Sequence, residues 1–148
     1  MRRLPVPCII LVLLSLLSRS ALPQPAALPP ISTITFAPGS TLSTVNGQMV
    51  LGGHDLYYVT ARAGQTLLAF VSSEAEMTFE VYEPDTIIAK AAGGKLMIRG
   101  KTLPNAGVDD HAKAWVGAIP RSGSYLLVLA MPENGPVVSP FSLTVSLQ

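Results

Sequence analysis

The chain holds a single cysteine, Cys8, among 148 residues. One thiol cannot close an internal disulfide, and it cannot build a Cys-rich zinc site. Charge is scarce as well: Asp, Glu, Lys and Arg make up 13% of the residues, ten basic against nine acidic. With no surplus of Lys and Arg to neutralise phosphates, nucleic acid is excluded as a partner. The same low charge, joined to 49% hydrophobic residues, excludes disorder for the body of the chain. No apolar run reaches the roughly 20 residues of a membrane span.

Catalytic motifs are missing too. The sequence has no G-x-S-x-G elbow and no H-E-x-x-H. Gly93-Gly94-Lys95 lacks the spacing and the following Ser or Thr of a phosphate loop. The only histidines are His54 and His111. Asp109-Asp110-His111 gathers metal-ligating residue types, but three adjacent loop residues rarely converge on one ion, so a solvated loop is expected. The chain reads as non-enzymatic, with no cofactor and no metal.

What is present begins with a leader. Arg2 and Arg3 precede an apolar run of ten residues, 8–17, and Ser18-Arg19-Ser20 offers the small residues that a signal peptidase reads. We expect a signal peptide over 1–20, a Pro-rich tether over 21–30 carrying Pro23, Pro25, Pro29 and Pro30, and one domain over 31–148. The protein is then periplasmic or secreted. Loss of Arg2, Arg3 and Arg19 leaves seven basic against nine acidic side chains, a formal net charge of about −2. Cys8 leaves as well, so a packed core has to carry the stability.

From Ile31 onward, short runs rich in Val, Leu, Thr, Tyr and Phe alternate with period two and are broken by turn residues such as Pro38-Gly39, Gly52-Gly53, Pro84-Asp85 and Ser122-Gly123. Strands are predicted over 31–36, 41–49, 55–61, 66–72, 77–82, 87–91, 114–119, 125–130 and 141–147. With no helical periodicity between them, the fold class is all-β: an antiparallel β-sandwich of about seven to nine strands. The alternation assigns an inward face to Tyr57, Val59, Ala61, Leu67, Ala69, Val71, Met77, Phe79, Val81, Tyr125, Leu127, Leu129, Phe141, Leu143, Val145 and Leu147.

Leu68, Phe70, Leu126 and Val128 make the second face of two strands apolar as well, and we expect other chain segments to cover it. Residues 92–113 are too long for a hairpin turn; they form a long loop or insertion that can hold an extra edge strand over 95–99. Glu74, Glu76, Glu80, Glu83 and Asp85 form an acidic run, with Glu76 and Glu80 on the outward face of their strand. Trp115 is expected between the sheets.

The patterns Ile34-Thr35-Phe36-Ala37-Pro38-Gly39, Asp55-Leu56-Tyr57, Ala61-Arg62-Ala63-Gly64-Gln65-Thr66-Leu67 and Ile119-Pro120-Arg121-Ser122-Gly123-Ser124-Tyr125 occur in this order. In that order the chain resembles the bacterial pre-peptidase C-terminal type β-sandwich and, more narrowly, the periplasmic inhibitors of g-type lysozyme. The resemblance covers most of 34–147, apart from 92–113. It implies a binding protein whose partner is a lysozyme or other secreted glycosidase, engaged by inserting an S-G-x-Y loop into the partner's cleft. That loop falls on Ser122, Gly123 and Tyr125, with Arg121 beside it. Residues 131–135, after the strand that Tyr125 begins, hold no Lys or Arg. Lys95, Arg99 and Lys101 are therefore the candidates for a secondary, positively charged contact. The alternative is an accessory domain that binds envelope material or carbohydrate, which needs an exposed aromatic platform from Tyr58, Tyr82 or Trp115.

Overall fold

The computed structural model describes residues 27–148. The expected leader, and the tether up to residue 26, lie outside the described residues. Ten strands follow in chain order: β1 (Ile31–Thr33), β2 (Leu42–Val50), β3 (His54–Ala61), β4 (Thr66–Ser73), β5 (Thr78–Tyr82), β6 (Ile87–Lys90), β7 (Leu96–Arg99), β8 (Ala114–Ala118), β9 (Gly123–Ala130) and β10 (Val138–Leu147). A short 3-10 helix, Val108–Asp110, precedes β8. One four-stranded sheet has the order β1-β3-β9-β5, the other β2-β10-β4-β8, and β6 and β7 form a separate hairpin. All pairings are antiparallel except β1 with β3. The fold is the expected β-sandwich.

The inward face follows the period-two pattern. Val59, Leu67, Ala69, Val81, Tyr125, Leu127, Leu129, Leu143 and Val145 are all fully buried in one cluster between the sheets. Each large apolar side chain so buried contributes about 1.5–3 kcal/mol. β1 is shorter than the predicted 31–36 strand: after Thr33, only the Ile34 N–H continues the pairing, donating to the Tyr58 carbonyl at 2.8 Å. Pro38-Gly39 then turns the chain across to the other sheet, with Gly39 at φ 79.

Residues 92–113 are structured rather than a bare loop. β7 is the edge strand expected over 95–99, and it pairs with β6. The remainder runs along β5: Leu103 N–H donates to the Val81 carbonyl, and Val81 N–H donates to the Ala106 carbonyl. Leu103, Ala106 and Ala112 join the main core. The segment thereby satisfies the backbone groups that an edge strand would leave open.

The two outer faces have different fates. On the first sheet, Leu56, Tyr82, Leu126 and Val128 form a second buried cluster under Ile88, Leu96 and Ile98 of the hairpin. On the second sheet, Leu68 is 37% exposed, Phe70 40% and Val116 65%. The expectation of cover is thus met at Leu126 and Val128 and corrected at Leu68 and Phe70. The hairpin is the only covering segment among the described residues, and it lies on the other sheet. Trp115 packs half-buried at the margin of the core, and its indole N–H donates to the Pro104 carbonyl at 2.8 Å.

Candidate functional site

The loop from Arg121 to Ser124 leads into β9 at one end of the sandwich. Tyr125 is the first β9 residue to point inward, and it is fully buried. Its hydroxyl donates to the Arg121 carbonyl at 2.7 Å and accepts from the Arg121 N–H at 3.4 Å. The ring is thus held by the core while its polar end closes the loop four residues upstream, the arrangement of a tyrosine corner. Tyr125 was among the expected partner-binding residues, and the structure corrects this. A side chain with no exposed surface cannot touch a partner, so its contribution is to position the loop.

Gly123 lies where two turns meet. Its φ is 155, and a Cβ placed on it would stand 2.5 Å from Cγ of Pro84. No larger residue fits without moving the 83–86 turn. Asp85 in that turn has φ 72, which suits the third position of a type II turn behind Pro84. Arg121 fastens the same turn: Nη1 meets Asp85 Oδ2 at 2.8 Å, Nη2 donates to the Pro84 carbonyl, and Nε stands 3.4 Å from Glu83 Oε2. Lys101 Nζ completes the group at 2.7 Å from Glu83 Oε1. The Lys101 hydrogen bond, helped by the Arg121 charge, holds the Glu83 carboxyl below its ordinary range against the opposing effect of burial. Asp85, and then Glu83, raise the Arg121 guanidinium further above its already high value.

Ser122 is exposed and poised differently. Its Oγ accepts the Ala63 N–H at 3.0 Å from the neighbouring turn, which leaves the hydroxyl proton free to donate outward. Ser124 Oγ lies 3.3 Å from Thr60 Oγ1. Beside the loop is an open groove of about 590 Å³ lined by residues that include Thr33, Tyr58, Thr60, Asp85, Arg121 and Ser122. The groove offers hydrogen-bond donors and acceptors alongside a comparable apolar surface.

The structure brings together Arg121, Ser122 and Gly123, and it joins Lys101 to them through Glu83. Arg99 lies nearby in register, opposite Ile87 just after the 83–86 turn. Lys95 does not belong to this end. It edges a second cleft of about 720 Å³ with His54, Glu76, Glu80, His111 and Lys113, beside Ala130 at the far end of β9. Five residues of β9, from Tyr125 to Leu129, lie between the two clefts, about 20 Å from Ser124 to Ala130 at the usual strand rise. Asp110 of the acidic loop accepts the Gly107 N–H at 2.7 Å, capping its own turn.

No protein-family model and no curated relative matches the chain. Solved structures do match. Three of them are periplasmic inhibitors of g-type lysozyme. PliG from Aeromonas hydrophila is 26% identical, with a TM-score of 0.59, covering 82% of this chain and 100% of its own. PliG from Salmonella Typhimurium is 15% identical with a TM-score of 0.57, and a mutant of Escherichia coli PliG is 14% identical with a TM-score of 0.54. Each also covers 82% of this chain and 100% of its own. The Salmonella and Escherichia PliG structures share the fold, and the Aeromonas PliG adds a sequence likeness across it.

Among the residues that sequence reasoning missed are Glu83, Pro84 and Asp85. Pro84-Asp85 is legible as a turn, but nothing local says that it meets a loop 36 residues on, where Arg121 reaches Asp85. The aromatic platform is corrected in part: Tyr82 is 5% exposed under the hairpin, with its hydroxyl donating to Glu80 Oε2 at 2.5 Å. Burial, then that hydrogen bond, raises its pKa well above the usual tyrosine range.

Proposed function

We propose that this chain is an exported, non-enzymatic inhibitor of a g-type lysozyme that inserts its 121–124 loop into the enzyme's cleft. The sequence of the first 20 residues supports export by a cleavable signal peptide. The observation that carries the proposal is Ser122. It is an exposed hydroxyl on a loop locked from three sides: by Tyr125 below, by the Arg121 clamp on the 83–86 turn, and by the Ala63 N–H. Glycosidases hydrolyse sugar with paired carboxylates in a cleft. A rigid loop presenting a hydroxyl proton meets such carboxylates with little ordering cost on binding. The likeness to Aeromonas hydrophila PliG, at 26% identity over 82% of the chain, supports the same partner. Resemblance to pre-peptidase C-terminal type sandwiches fits the same architecture.

The test is inhibition of cell-wall lysis by g-type, c-type and i-type lysozymes, using the purified protein. We expect inhibition of the g-type enzyme. Ser122→Asp, which sets a carboxylate against the enzyme's own, should weaken it at least about tenfold, since burying unpaired like charge costs well over 1.4 kcal/mol. Inhibition of no lysozyme, or full inhibition by Ser122→Asp, overturns the proposal.

A further inference from the structure

The outer face of the sheet β2-β10-β4-β8 is unlike the rest of the surface. Its outward positions on β4 and β8 are Thr66, Leu68, Phe70 and Ser72, then Ala114, Val116 and Ala118. Ser142, Thr144 and Ser146 continue the face on β10. None of these residues is charged, and Leu68, Phe70 and Val116 form a bare apolar patch at the β8 side. The equivalent patch on the other sheet lies under the β6–β7 hairpin.

The phase of the hydrogen bonding matters here. Val71 N–H donates to the Lys113 carbonyl at 2.9 Å, and Ile119 N–H donates to the Gln65 carbonyl at 2.8 Å. In an antiparallel ladder bonded residues alternate, so Trp115 and Gly117 also direct their N–H and C=O groups toward β4. Ala114, Val116 and Ala118 direct theirs to the open side, where no backbone partner stands among the described residues. Their side chains are exposed as well. β8 therefore carries no charge, proline or cover, the usual devices that keep an edge strand from pairing.

We infer that β8 pairs antiparallel with β8 of a second copy of this chain, joining two four-stranded sheets into one across a two-fold axis at Val116. The edge is self-complementary in sequence: read from Val116 in either direction, the next edge residue is an alanine, Ala118 or Ala114. On the axis Val116 meets its own copy, and Ala114 meets Ala118 of the other copy, each pair exchanging two hydrogen bonds. Charge selects this occupant. A two-fold axis sets each residue near it against itself, so a charge there would repel its copy, whereas an ionic partner would need opposite charges to meet. The patch offers neither repulsion nor an ionic handle. Lys113, the nearest cation in the chain, is already paired with Glu76 at 3.3 Å. The opposite edge, β2, is open by the same hydrogen-bond argument, but its central edge residues are the polar Thr44, Asn46 and Gln48, which water satisfies without a partner.

The test is the mass of the purified protein by light scattering during gel filtration, from low to high micromolar concentration. We expect a dimer that dissociates on dilution. Val116→Lys should show the monomer mass at every concentration, since the two-fold sets the lysines against each other. Its circular dichroism should match that of the parent, and its melting should match at the low concentrations where the parent is monomeric, because position 116 is exposed and bonds nothing in its own chain. Asn46→Lys on the other edge should remain dimeric. A parent protein that stays monomeric throughout, or a dimer that survives Val116→Lys, overturns the inference; so does a dimer lost on Asn46→Lys alone. Val116→Lys should keep its full activity against lysozyme, so failure of the dimer and failure of the inhibitor function are read separately.

Discussion

The Tyr125 hydroxyl donates to the Arg121 carbonyl at 2.7 Å, across four residues that include the whole exposed loop. A residue with no exposed surface thus fixes the geometry of a segment that is almost all surface. Tyr125→Phe keeps the ring in the core and leaves the Arg121 carbonyl without its partner. We expect a loss of about 1 kcal/mol in denaturant unfolding. If the loop is the inhibitory element, the inhibition constant should also rise severalfold through a faster off-rate, measured by surface-immobilised binding.

Gly123 makes a sharper prediction. Gly123→Ala places a methyl against Pro84, whose Cγ and Cβ lie 2.5 and 2.8 Å from the new atom. Overpacking of this kind costs about 1–3 kcal/mol. Pro84→Gly removes the obstruction, so the double variant should recover part of the loss. A double-mutant cycle on chemical melts would read a coupling of opposite sign to the single costs.

Glu83 sets an acid dependence. Its folded pKa lies below the ordinary value of 4.5, because Lys101 and Arg121 favour the carboxylate. The stability this contributes is fully present above pH 4.5, where both folded and unfolded chains are ionised. It is lost as the pH falls through the folded value, since the unfolded chain takes up the proton first. Glu83→Gln should therefore flatten the decline of melting temperature below pH 4.5 relative to the parent and lower stability at neutral pH.

Leu126 and Leu68 sit in equivalent outward positions on opposite sheets. Leu126 is fully buried beneath the hairpin, and Leu68 is 37% exposed. Leu126→Ala should cost about 2–5 kcal/mol as a cavity-forming change. Leu68→Ala should cost less than about 1 kcal/mol in the monomer. Urea unfolding of the two variants side by side tests whether the hairpin completes a second core.

The strands and their inward faces were legible in the sequence alone. Side-chain alternation is a property of the extended backbone itself, so Val59, Leu127 and Val145 declare their direction without knowledge of any partner strand. The turns were legible for the same local reason, through Pro38-Gly39, Pro84-Asp85 and Ser122-Gly123. The outer faces were not. Leu126-Leu127-Val128 and Leu68-Ala69-Phe70 are the same kind of pattern, and only the position of β6 and β7 over the first sheet decides that one is buried and the other bare. Nor does any spacing reveal that Arg121 closes on Asp85, or that Lys95 belongs to the far cleft. Periodicity reports a strand's own geometry, whereas cover, clamps and clefts depend on which distant segments the sheet order brings side by side.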